Sequence, residues 1–95
     1  MSDIHILRPH TLGLRGARQA ADDVAARLRA DIGVDTTWEG DVLHVSGHGV
    51  TGRLVAAPDS VEVHARLGLV ARPFRKRLLR EIETELDRAL LSPTS

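Results

Sequence analysis

Two stretches of the chain repeat their apolar residues at helical spacing, and the segments between them alternate with a period of two. At 100° per residue, Leu14, Ala17, Ala20, Ala21, Val24, Ala25, Leu28 and Ile32 fall within an arc of about 140°, which predicts an amphipathic helix. Half of that stripe is alanine, so the helix is expected to lie close against its neighbour. Thr11 is the expected N-cap, and Gly33 suits the left-handed position past the helix end. A second helix is expected from Pro73 to Leu91, because Phe74, Leu78, Leu79, Ile82, Leu86, Ala89 and Leu90 share an arc of about 160°. Pro73 is tolerated in a first turn because its missing N–H would be unpaired there anyway.

The period of two predicts five strands. Asp3 to Arg8 alternates, with Ile4 and Ile6 on one side, and Pro9 ends it. Val34, Thr36 and Trp38 form one face of the next strand, and Glu39-Gly40-Asp41 turns the chain. Leu43 and Val45 point inward on the return. Gly47-His48-Gly49 is a second turn, followed by a strand with Val50, Gly52 and Leu54 on one face. After Ala57-Pro58-Asp59-Ser60, the residues Val61, Val63, Ala65 and Leu67 alternate with Glu62, His64 and Arg66. The expected fold is α+β: an antiparallel sheet of about five strands in the order β-α-β-β-β-β-α, with both helices on one face. Residues 1–95 are expected to form one domain with a core over about 3–91 and a frayed tail over 92–95.

Composition narrows the function. Thirteen basic and thirteen acidic side chains cancel, so net charge predicts no nucleic-acid partner. Trp38 and Phe74 are the only aromatics besides histidine, which removes the stacking platforms of single-strand readers. Without cysteine there is no disulfide framework or zinc-thiolate site. The start of the chain has no signal-peptide pattern, and no apolar run has the length of a transmembrane segment, so a cytoplasmic protein is expected. No phosphate-binding glycine motif or nucleophile elbow occurs, no cofactor is expected, and the inventory favours binding over catalysis.

Two polar features remain. Arg72, Arg75, Lys76, Arg77 and Arg80 crowd the start of the second helix, while Glu81, Glu83, Glu85 and Asp87 follow. That order opposes the helix dipole, at about 0.3–1 kcal/mol per charge. Arg75 also falls inside the apolar arc. The cluster is therefore the candidate partner- or anion-binding site. His5, His44 and His64 share the non-core parity of their strands and are the candidate metal ligands, although a solvated sheet face accounts for them more simply. The same face carries Leu7, Thr37, Val42, Thr51, Arg53, Val55, Glu62 and Arg66, a mixture that would suit a homodimer contact.

The run Ile4-His5-Ile6-Leu7-Arg8-Pro9-His10-Thr11-Leu12-Gly13-Leu14, with Ala17-Arg18, Trp38-Glu39-Gly40-Asp41-Val42-Leu43-His44, Gly49-Val50-Thr51-Gly52, Val61-Glu62-Val63 and Leu67-Gly68, resembles the small polyhydroxyalkanoic acid system, or granule-region, proteins of bacteria. The resemblance spans about residues 3–91. It implies an accessory role in the cytoplasmic polyester storage-granule system, with the granule surface or a granule-associated protein as partner. It carries over no catalytic residues. Leu67 to Leu79 matches the family only loosely, so the arginine cluster is read as particular to this chain. The element order also resembles a reduced helix-grip fold, which in longer versions encloses an apolar ligand, and it resembles ribosome hibernation factors, which bind RNA. These two resemblances supply the alternatives of a hydroxyacyl or lipid binder or enzyme and a ribosome-binding module.

Overall fold

The computed structural model describes residues 3–90, so the expected tail and Leu91 lie outside the described residues. The elements are β1 (Ile4–Pro9), α1 (Gly13–Asp31), β2 (Asp35–Glu39), β3 (Val42–Gly47), β4 (Val50–Ala56), β5 (Ser60–Leu67), a single 3-10 turn (Arg72–Phe74) and α2 (Arg75–Leu90). The five strands form one antiparallel sheet in the order β1-β5-β4-β3-β2. β2 to β5 are a meander, and β1, the first strand of the chain, adds beside the last.

Alternation sorts the sheet residues as the sequence predicts. Ile4, Ile6, Leu43, Val45, Val50, Leu54, Val61, Val63, Ala65 and Leu67 are buried against Ala17, Ala20, Ala21, Val24, Ala25 and Leu28 of α1 and Leu78, Ile82 and Leu86 of α2. Ala17, Ala20, Ala21 and Ala25 of α1 are fully buried, which lets the helix approach its neighbours closely. Gly33 adopts φ +83° and donates its N–H to Arg29 at 3.0 Å, closing the last turn.

Three local expectations change. β1 continues through Pro9, which pairs with Ser60. Thr11 does not cap α1: Leu12 holds the cap position, and its N–H is accepted by His10 Nδ1 at 3.0 Å. The imidazole reaches this donor because the chain bends after β1, where the His10 N–H bonds to the Asp59 carbonyl. Phe74, expected in the core, is 54% exposed. The 3-10 turn advances about 120° per residue, so the helical wheel of α2 does not extend back through Phe74.

The residues that carry the family resemblance do structural work. Arg8, at the end of β1, donates to Glu83 and Asp87 of α2, both at 3.1 Å. Trp38 donates its indole N–H to Asp22 at 2.8 Å, and the Arg18 guanidinium lies 4.0 Å from the Trp38 ring centroid. Arg18 also reaches the Gly40 carbonyl at 2.7 Å and Asp41 at 3.1 Å, so it ties the β2–β3 hairpin to α1. These contacts dock the two helices on the sheet.

The interior is filled. The void between sheet and helices, lined by Val24, Leu28, Leu54, Val63 and Ile82, measures about 20 Å³. That is room for about one water molecule, far below the roughly 300–1,000 Å³ of a small-molecule pocket. Among the described residues, the enclosed apolar-ligand site implied by the helix-grip resemblance has no room.

Candidate functional site

The end of the molecule that gathers the β3–β4 turn, the end of β5 and the start of α2 carries the most distinctive surface. After β5, Gly68 to Ala71 turn the chain, with the Gly68 N–H bonded to Gly49 at 2.7 Å and Ala71 buried. Anchoring Ala71 forces its neighbours outward: Leu69 is 84% and Val70 78% exposed. With Phe74 they are three of the five large apolar side chains exposed among the described residues, and they lie within six positions of one another. Val70 and Phe74 also line an open cleft of about 300 Å³, whose apolar floor includes Ile32, Val50 and Leu78. Asp31 and Glu81 edge this cleft, and each pairs with an arginine one helical turn away, Asp31 with Arg27 at 3.0 Å and Glu81 with Arg77 at 3.3 Å.

The five basic residues expected to form an anion or partner site stand beside these apolar residues, and the structure divides them. Arg75 is exposed and donates its Nε–H to the Asp3 carbonyl at 2.9 Å. Its place in the apolar arc is explained by this first turn overhanging the edge strand rather than by a buried acid. Arg72 reaches the Leu67 carbonyl at 3.4 Å. Arg77 pairs with Glu81 at 3.3 Å, one helical turn on. Lys76 and Arg80 are exposed. The cluster is thus a basic collar of which only part is neutralised.

The charge order of α2 now has a physical cause. α2 runs in the same direction as β1, so its basic start meets Asp3 and its acidic half meets Arg8. The Asp3 carboxyl is held below its ordinary range first by the Leu67 N–H at 2.7 Å, and then by the charges of Arg72, Arg75 and Arg66. Contacts with β1 offset what the helix dipole loses.

The three candidate metal ligands lie on the sheet face that neither helix covers, but the structure does not unite them. The register sets His5, His64, Arg53, His44 and Thr37 in one row across the five strands. His5 and His64 are neighbours, with ring centroids 4.4 Å apart and planes 17° from parallel. His44 lies two strands from His64, beyond Arg53, and contacts Glu39 at 3.0 Å instead. Glu62 takes the third place beside the pair: His5 Nε2 is 2.6 Å and His64 Nε2 3.1 Å from its Oε2. The His5 hydrogen bond and the charges of the two histidines hold the Glu62 carboxyl below its usual range.

Sequence reasoning missed Leu69, Val70 and Glu62 as members of these groups. The adjacent apolar pair Leu69-Val70 fits no strand or helix period, and that misfit is the signal for exposed loop residues. A sequence model for a family described as "Putative polyhydroxyalkanoic acid system protein" matches residues 4–90. Neither the curated proteins nor the solved structures contain a match.

Proposed function

The chain belongs to this polyhydroxyalkanoic acid system family, with nearly its whole length matched, and from that premise we propose that it is a non-catalytic accessory protein of the storage-granule system that docks on the granule surface. The observation that carries the reading is the outward display of Leu69, Val70 and Phe74 beside Arg72, Arg75, Lys76, Arg77 and Arg80. A polyhydroxyalkanoate presents alkyl groups and ester carbonyls. Apolar side chains gain by leaving water against the former, and guanidinium groups donate hydrogen bonds to the latter. Complete burial of the three apolar side chains would supply on the order of 5 kcal/mol before the cost of association. No helix among the described residues is long and apolar enough to cross a membrane.

On this reading the protein works in the cytoplasm, where such granules form. The test is fractionation of polymer-accumulating cells that produce the full chain. Recovery on washed granules, and its loss in a Leu69→Ser, Val70→Ser, Phe74→Ser variant that remains folded, is the expected result. Exclusive recovery in the soluble fraction, or recovery with ribosomes that fell steeply with salt, would replace this reading.

A further inference from the structure

We propose that His5, Glu62 and His64 form a binding site for a divalent transition-metal ion of the zinc class, on the face of the sheet opposite the helices. The site follows from strand register. His5 of β1 stands directly opposite His64 of β5, and Glu62 lies two residues before His64 on the same face. Directly opposed and diagonal side chains on one sheet face are the pairs that meet. Each residue offers a ligand atom, and the three atoms lie within 4.8 Å of one another.

The geometry needs little adjustment to hold an ion. Two donors bound tetrahedrally at about 2.0–2.1 Å stand roughly 3.3 Å apart. Both imidazole Nε2 atoms already approach a single carboxylate oxygen, at 2.6 and 3.1 Å, and the near-parallel rings present their edges to the same side. Two imidazoles and one carboxylate match zinc sites that keep a fourth position for water, and imidazole nitrogen also suits nickel and copper.

The surroundings give the site a discriminating test. Arg53 stands opposite His64 on β4, and its charge opposes a bound cation. His44 is outside the set because Arg53 intervenes in the row.

Titration of the untagged chain with zinc ions, followed by calorimetry, is expected to show one ion per chain, and cobalt(II) is expected to give the visible bands of a tetrahedral N/O site. His5→Ala and His64→Ala should each weaken zinc binding at least tenfold, and Glu62→Gln several-fold. His44→Ala should leave it unchanged, and Arg53→Ala should tighten it. Because the three positions lie on the uncovered face, the variants are expected to fold, as circular dichroism would verify. In the unaltered protein, zinc should move the side-chain nitrogen resonances of His5 and His64 and leave those of His44 and His48 in place. Absence of saturable binding, binding that survives loss of both His5 and His64, equal loss in His44→Ala, or weakening by Arg53→Ala would each overturn the assignment.

Discussion

Gly52 of β4 lies close against the backbone of β5, and replacing it with alanine tests the packing on which the rest of the fold depends. A Cβ at this position would sit 2.5 Å from the His64 carbonyl oxygen and 3.1 Å from the Ala65 Cα. Both are backbone atoms of β5, so no side-chain rotation relieves the contact and the β4–β5 ladder must open at its centre. Overpacking of this kind costs about 1–3 kcal/mol. Reduced freedom of the unfolded chain returns about 0.4–1 kcal/mol when glycine becomes alanine. The net expectation is a loss of about 1–2 kcal/mol, which in a domain of this size lowers the thermal midpoint by roughly 4–16 °C. Gly13 is the control, since a Cβ there meets nothing within 4 Å and alanine would suffer only from its φ of +74°. Urea and thermal unfolding followed by circular dichroism would measure both variants. A Gly52→Ala protein as stable as the parent, or more stable, would refute the close approach.

Other outcomes follow from the contacts of β1. Arg8→Glu would face Glu83 and Asp87 with a third carboxylate and should destabilise the fold by about 1–2 kcal/mol, less at high salt. Adding Glu83→Arg should recover part of the loss in a double-mutant cycle read by urea unfolding. Asp3 has a depressed folded pKa, so its stabilising contribution is complete above the ordinary value of 3.8 and disappears as pH falls through the lower folded value. Asp3→Asn should therefore flatten the acid limb of the stability–pH curve relative to the parent protein, and an unchanged limb would show that the carboxylate contributes nothing there. Leu86 is fully buried, and Leu86→Ala should cost about 2–5 kcal/mol by urea unfolding.

Much of this architecture is legible in the residues because local periodicity specifies it. The unbroken alternation from Val61 to Leu67 leaves one orientation for β5, and the alanine stripe of α1 has one face to bury. The position of β1 is different. Pairing His5 with His64 joins residues far apart in the sequence, and parity alone cannot tell whether β1 lies beside β5 or at the other edge. Parity placed His5, His44 and His64 on one face, whereas strand order brings two of them together and supplies Glu62 instead of His44.

The basic collar was also only half legible. Its residues are evident in the sequence, and Arg75 stands out by its place in the apolar arc. The answer to that position lies in the Asp3 carbonyl, a backbone atom that no residue pattern announces. Phe74 misled for a related reason. A wheel drawn at 100° per residue assumes that the α-helix begins before it, whereas the 3-10 turn resets the phase and turns the ring toward solvent. The exposed ring joins Leu69 and Val70 and turns a basic cluster into a mixed apolar and cationic surface.

That surface carries the central claim, and the most direct test is co-sedimentation of the purified chain with amorphous polyhydroxybutyrate particles. Loss of the three exposed apolar side chains removes roughly 3–5 kcal/mol of contact, equivalent to about a hundredfold or greater weakening. The account predicts saturable binding by the parent chain and that degree of loss in the Leu69→Ser, Val70→Ser, Phe74→Ser variant, whose thermal midpoint should not fall. Equal binding by the two proteins, or no binding by the parent chain, would contradict it.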